Sequence, residues 1–262
     1  MTVPSVPVGA AERRHRWVGE EPAIPFELQV LYEDDGIIVV DKPHFLATTP
    51  RGMWYRQSAL MRLRERFGEP DITPAHRLDR ATAGIVLFVR KPRMRRTYQM
   101  LFQDRLVSKT YECLAPCAPI RRPRCGTMTP LEAPRVFPLM RRSTIVKRRG
   151  RLQAFELPGE VNAETLIELG DAAAGALMPW RRYVLRPRTG KTHQLRVHMN
   201  ALGLPIAGDD LYPVITNPAY DDFSHPLQLV ARELSFTDPI THEPRTFRSR
   251  VPLSAPMNPV LC

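Results

Sequence analysis

Apolar residues in this chain fall into short runs and helical stripes. Ile37-Ile38-Val39-Val40 is an unbroken run of strand length, and Asp41-Lys42-Pro43 ends it, because proline cannot continue a ladder. Leu28 to Leu31 lead toward it through the acidic turn Tyr32-Glu33-Asp34-Asp35-Gly36. Ile85-Val86-Leu87-Phe88-Val89 is a second buried run. Lys109 to Leu114 alternates as a strand does. Glu164–Leu169 and Tyr183–Arg186 predict further strands, the latter stopped by Pro187, with a turn at Asp171–Gly175 between them. Leu227–Phe236 and Thr246–Val251 read as two closing strands.

Three stretches carry helical spacing instead. Over Ser58–Phe67, Leu60, Leu63 and Phe67 line one face, Arg62, Arg64 and Glu65 face outward, and Gly68 supplies the stop. Pro92–Asp104 predicts a basic helix with Pro92 in its first turn and Tyr98, Leu101 and Phe102 as its apolar face. Thr189–Leu202 predicts a third, capped by Thr189 or Thr192 and ended by Gly203. Leu195, Met199 and Leu202 anchor it, while His193, Arg196 and Asn200 form a polar row.

The rest of the chain is less regular. Residues 1–24 are rich in proline, arginine and glutamate and read as a flexible arm. Residues 25–262 read as one domain. Within it, about 115–182 reads as an irregular basic insertion, with arginines at 121, 122 and 124 and again at 141, 142, 148, 149 and 151. Such a stretch suits an RNA-facing flap or a solvated loop.

Composition narrows the class. Hydrophobic residues make up 43% of the 262, enough for a core, which argues against global disorder. The 38 Lys and Arg against 27 Asp and Glu give a net charge of +11, which favours a polyanionic partner, nucleic acid first. A genome-wide arginine bias would raise the charge as well. No run is long enough to span a membrane and no signal-peptide pattern opens the chain, so a cytoplasmic protein is expected. Cys113, Cys117, Cys125 and Cys262 form no CxxC pair and have no histidine spaced to complete a zinc set, so reduced thiols and no metal are expected.

The candidate chemistry lies in Ala75-His76-Arg77-Leu78-Asp79-Arg80-Ala81-Thr82-Ala83-Gly84, a charged turn delivered onto a buried strand. A carboxylate set among arginines and held by a strand is a plausible reactive group. A solvated loop with surface ion pairs would carry the same residues.

Four stretches occur in a known order: Val39-Val40-Asp41-Lys42-Pro43, His76-Arg77-Leu78-Asp79, Lys109-Thr110-Tyr111, and Thr189-Gly190-Lys191-Thr192-His193-Gln194-Leu195-Arg196-Val197-His198. With Gly203 to Tyr212 and the strand around Leu229-Val230-Ala231, they make the chain from about Leu28 to Pro252 resemble the RluA-type pseudouridine synthases. The resemblance implies an α+β fold, a mixed and mostly antiparallel sheet flanked by helices and loops around a central RNA-binding cleft. It implies isomerisation of uridine to pseudouridine in ribosomal or transfer RNA. The base is flipped out of the stack, and no cofactor is required.

The resemblance also assigns roles. Asp79 is the reactive carboxylate, acting as nucleophile at the 1′ carbon or as base at the 2′ proton. Arg196 orients it and Tyr111 lies against the target base. Arg77 enters the space that the base leaves. His76, Arg80, Lys109, Lys191, His193 and Gln194 complete the RNA-binding set, with His76, His193 and Gln194 as structural supports of the pocket.

There are departures from the family pattern. Ala83 stands where relatives carry serine, Lys191 replaces arginine, and Phe45 and His242 stand where glycine is common. The N-terminal RNA-binding domain of many relatives has no counterpart in the first 25 or so residues, which are too few to fold alone. A monomer without an obligate protein partner is expected. The rival from another class is an RNA-binding or RNA-chaperone protein that keeps the fold without catalysis. A DNA-binding protein is disfavoured, since no helix-turn-helix or zinc-finger pattern occurs.

Overall fold

The computed structural model describes residues 21–51, 55–170 and 179–254. The turn expected at Asp171–Gly175, most of the N-terminal arm and Cys262 lie outside them. In chain order the elements are β1 (Gln29–Glu33), β2 (Ile37–Lys42), α1 (Ala59–Phe67), β3 (Thr73–Pro74), β4 (Ala83–Val89), a 3-10 turn (Pro92–Met94), α2 (Arg95–Gln103) and β5 (Ser108–Pro116). β6 (Thr127–Pro130), β7 (Leu139–Val146), β8 (Phe155–Leu157), β9 (Ala163–Leu169), β10 (Trp180–Pro187), α3 (Gln194–Ala201), β11 (Leu229–Thr237) and β12 (Pro244–Arg248) follow.

The strands form one mixed sheet in the order β1-β2-β4-β11-β5-β10-β9-β7-β6, with β3 beside β4, β8 beside β7 and β12 beside β11. All of its pairings are antiparallel except β4 with β11. This is the expected α+β architecture. One row across the sheet's centre matters most. Ala231 of β11 pairs with Gly84 of β4 on one side and Tyr111 of β5 on the other, and Tyr111 pairs in turn with Leu185 of β10.

Local chemistry accounts for the first two helices. The Ser58 Oγ accepts from Met61 N at 3.4 Å, and Gly68 closes α1 in the left-handed region with φ 64°. Leu60 and Leu63 are buried with Val40, Leu46, Leu78 and Phe88 in one core cluster. Pro92 opens the 3-10 turn ahead of α2, whose Tyr98 and Leu101 are buried against Ile37, Ile85 and Leu87 in another. A third cluster gathers Cys113, Leu139, Tyr183, Leu195, Met199 and Leu229. Tyr111 packs against the first and the third, at the seam between them.

Three expectations change. The segment over 115–182 holds β6 to β9, and its strands β7 and β9 extend the main sheet. Prolines between the strands masked their alternation. Arg141 is fully buried, paired with Glu156 at 2.6 Å and donating to the carbonyls of Cys125, Thr127 and Arg142, so it cannot face RNA. The third helix starts at Gln194, with left-handed His193 (φ 56°) at its N-cap and no threonine cap. Thr189 donates instead to Gln194 Oε1 at 2.7 Å and accepts from Glu164 N at 2.9 Å, which ties the pre-helix loop to β9. At the end of the expected arm, Glu21 accepts from the backbone of Tyr55, Arg56 and Gln57, and Ile24 is buried.

Gly84 has φ 112°, and an added Cβ would sit 2.3 Å from the Ala231 carbonyl oxygen. Gly68 also has positive φ, but its Cβ would meet nothing within 4 Å. Gly84→Ala is therefore expected to unfold the protein or lower its urea midpoint far more than Gly68→Ala, whose cost is about 1 kcal/mol. Equal losses for the two variants would contradict the close strand approach.

Candidate active site

Asp79 lies in the turn between β3 and β4, and its neighbours fix the backbone around it. Leu78 is buried, and its N–H and C=O both bond the Thr48 hydroxyl, at 3.1 and 2.9 Å. His44 Nδ1 lies 2.9 Å from the Ala81 carbonyl. The fully buried Lys42 ammonium donates to the carbonyls of Leu46 (2.7 Å), Pro43 (3.0 Å) and Arg80 (3.4 Å). Burial pushes the Lys42 pKa down to about 7, with Asp79 opposing the fall. Its three carbonyl partners also favour the charged form.

His76 pins the other flank. Its Nε2 accepts from Leu87 N at 3.2 Å and its ring stacks on Phe102 at 4.2 Å. Burial first, then Lys109, push its pKa down to about 3, so the neutral ring is the working form.

The Asp79 side chain itself is 33% exposed. Among the described residues its carboxylate accepts no hydrogen bond, and His193 Nε2 lies 3.9 Å from its Oδ2. The other enclosed aspartates are all committed. Asp41 accepts from Ser249 Oγ and Arg250 N, Asp238 from Tyr98 Oη and Ile240 N, and Asp209 from Arg196 and two backbone amides.

The expected partner of Asp79 is engaged elsewhere. Arg196 is 3% exposed and grips Asp209 with both arms, Nε to Oδ2 at 2.8 Å and Nη2 to Oδ1 at 2.5 Å. Nη2 also reaches Asp210 at 2.8 Å. Burial works against its charge, but Asp209, then Asp210 and Asp79, outweigh that and hold its pKa above the ordinary value. Arg196 is thus an electrostatic neighbour of Asp79 whose fork is held by the loop after α3. The polar row on α3 is correspondingly not a solvent-facing one.

His193 links the two carboxylate sites. Tyr212 donates its hydroxyl proton to the Ala154 carbonyl at 2.7 Å, so the 3.1 Å contact between Tyr212 Oη and His193 Nδ1 assigns the proton there to His193. Its Nε2 lone pair then faces Asp79. Burial, followed by Arg196 and Lys147, outweighs Asp79 and Asp209 and lowers the His193 pKa.

The remaining expected residues divide into supports and rim. Gln194 is fully used: Oε1 accepts from Thr189 Oγ1 and Lys191 N, and Nε2 donates to Glu164 O and Thr165 Oγ1. Lys109 Nζ donates to Thr189 O at 3.4 Å. Arg77 and Lys191 are exposed at the rim, and Arg80 Nη2 donates to Tyr220 O at 3.3 Å. Burial and then Asp79 raise the Tyr111 phenol pKa, so the ring stays neutral beside the carboxylate.

Sequence reasoning left Thr48, Asp209, Asp210 and Tyr212 without roles. The signal for Asp209 was Arg196 itself, since a guanidinium on the anchored side of a helix must find a carboxylate.

A one-third exposed carboxylate with uncommitted lone pairs, flanked by a phenol, an imidazole and a guanidinium, has the chemistry to act as a base or a nucleophile. The fold is that of the pseudouridylate synthases. Human RNA pseudouridylate synthase domain containing 4 superposes with a TM-score of 0.58 at 21% identity, covering 86% of this chain and 88% of that one. Human RNA pseudouridylate synthase domain containing 1 gives 0.57 at 22% identity, covering 89% and 87%.

Residues 36–201 match the RNA pseudouridylate synthase family model, and the chain belongs to that family. It is 32% identical to the dual-specificity RNA pseudouridine synthase RluA of Haemophilus influenzae, over 87% of this chain and 95% of that protein. It is 31% identical to the protein of the same name from Escherichia coli K12, over 85% and 92%.

The Asp209 bond set makes a quantitative statement. Asp209→Ala strands a buried guanidinium and is expected to cost about 3–5 kcal/mol in chemical denaturation. Asp210 is 37% exposed, so Asp210→Ala should cost about 1 kcal/mol or less.

A second expectation concerns acid. The fully buried His198 bridges Ser143 and Thr165, and burial, then Arg141, push its pKa down to about 3. The unfolded chain takes up this proton near pH 6.5 and the folded chain does not, so stability is full above that pH and falls as pH drops toward 3. The urea midpoint should fall between pH 7 and 4, less steeply in His198→Gln; identical slopes would remove His198 as a cause.

Proposed function

We propose that this RNA pseudouridine synthase acts through Asp79. The supporting observation is that its carboxylate, alone among the enclosed aspartates discussed above, has no hydrogen bond committed among the described residues. The isomerisation breaks the bond from C1′ to N1 of uracil, turns the base, and joins C1′ to C5. The C5 proton is lost and N1 gains one. Both routes to cleavage, attack at C1′ and removal of the 2′ proton, begin from an ionised carboxylate with free lone pairs.

The other residues follow from this. Tyr111, on the strand beside β11, offers a neutral ring against which uracil stacks, worth about 1–3 kcal/mol in single-strand binders. Arg77, exposed two residues before Asp79, fills the stack from which the base is withdrawn. Arg196 sets the local potential and holds the Asp209–Tyr212 turn. His193 faces Asp79 with an acceptor, so its role is to position the site and its solvent. Arg80, Lys109 and Lys191 supply positive charge to the phosphates, which makes binding salt-dependent.

The relatives are named dual-specificity RNA pseudouridine synthases, which supports more than one RNA as substrate, and ribosomal and transfer RNA are the classes proposed. On this reading the protein works as a cytoplasmic monomer without a protein partner or cofactor.

Asp79→Asn should fold, bind RNA and form no pseudouridine, as read by mass mapping of carbodiimide-labelled RNA. Arg196→Lys keeps the charge, loses the planar fork, and should lower turnover at least about tenfold. Turnover by Asp79→Asn at the normal rate would remove Asp79 from the chemistry.

A further inference from the structure

Phe45 sits in the turn after β2 with φ 65°, in the left-handed region that glycine enters freely and a bulky side chain enters only under strain. Such a backbone persists only where its surroundings over-determine it. Here they do. Lys42 Nζ holds the Pro43 and Leu46 carbonyls on both sides, and His44 is tied to Ala81 of the Asp79 turn.

The half-buried ring closes a three-membered aromatic cluster. It stacks on Phe26 at 6.0 Å and meets Phe223 edge-on at 5.2 Å, and Phe26 meets Phe223 at 5.4 Å. The Arg80 guanidinium lies 5.8 Å from the Phe45 ring centroid. The same guanidinium donates to the Tyr220 carbonyl. Phe223 and Tyr220 both belong to the long loop 213–226, whose other end is fastened by Thr216 N to Asp210 O at 3.0 Å. That loop carries Val214, Ile215 and Tyr220 toward solvent, at 68%, 36% and 59% exposure.

A glycine at position 45 would give the same turn without strain but would contribute nothing to the cluster. We propose that Phe45 is a specificity-determining position: with Phe26 and Phe223 it clamps the 213–226 loop onto the rim of the Asp79 site, so that Tyr220 and Arg80 meet the RNA nucleotides flanking the target uridine. Arg80 follows Asp79 directly in the chain, so a loop fixed on Arg80 borders the reactive carboxylate. Exposed aromatic and aliphatic side chains next to a guanidinium suit unstacked bases better than a regular duplex. The proposal rests on the reading of the site as a pseudouridine synthase centre.

The test uses the full chain and total RNA from cells lacking the gene, with pseudouridine counted site by site after carbodiimide labelling. Phe45→Gly and Phe223→Ala should each raise the apparent KM about tenfold while kcat changes no more than about threefold. Both should relax the sequence preference around the modified uridine, and the double variant should be little worse than either alone. Phe45→Tyr should restore KM and preference. Unchanged KM and preference in both single variants, or a fall in kcat alone, would overturn the clamp. No pseudouridine from the unsubstituted protein would overturn the underlying reading, a result distinct from the first because it appears before any substitution is made.

Discussion

The bidentate pair between Arg196 and Asp209 is the interaction on which the site depends. A guanidinium almost wholly out of water must keep its charge satisfied, and here α3 and the loop after it satisfy one another. Asp209 uses its remaining acceptor capacity on the backbone amides of Leu211 and Tyr212. That turn delivers the Tyr212 hydroxyl to His193, and His193 faces Asp79. A single buried charge pair thereby ties Arg196, Tyr212 and His193 together beside Asp79, whose own carboxylate accepts no hydrogen bond among the described residues. Asp79 sits in the field of Arg196 without being held by it, an arrangement suited to a group that must engage a substrate.

Much of this was legible in the chain. The α1 stretch carried its leucine spacing and its glycine stop, and the structure has both; Ser58, read as its first residue, is its N-cap. Buried runs such as Ile37–Val40 and Ile85–Val89 announced β2 and β4, because strands covered on both faces need no alternation. The turn that carries Asp79, and Tyr111, whose phenol lies in its field, were singled out from motifs. β6 to β8 were not, because proline and arginine hide the period and Arg141 is buried with its charge compensated by Glu156. The start of α3 was misjudged because Thr189, a good capping residue by type, bonds Gln194 and Glu164 instead. The partner of Arg196 was misassigned: it is Asp209, thirteen residues on in the loop after α3, and the assignment to Asp79 passed over this nearer carboxylate.

The two glycine-to-bulky departures have a shared explanation. Phe45 and His242 have φ of 65° and 63°, so each occupies a left-handed backbone position that glycine fits without strain. A departure visible in the sequence thus marks a local conformational cost in the structure. At Phe45 the ring contacts compensate for it; for His242 the structure offers no comparable cluster among the described residues.

The row through Gly84, Ala231 and Tyr111 has a consequence for how the enzyme is made. β11 comes late in the chain, yet it lies between β4 and β5, which come early. Asp79 hangs from β4, and Tyr111 is on β5. Until Leu229–Thr237 has left the ribosome, those two strands have no common neighbour and no defined register. The spacing between the strands that carry the carboxylate and the phenol therefore depends on a segment more than a hundred residues after either. A nascent chain long enough to contain every motif up to Arg196 still lacks β11, the strand that pairs with both β4 and β5 and so spaces them.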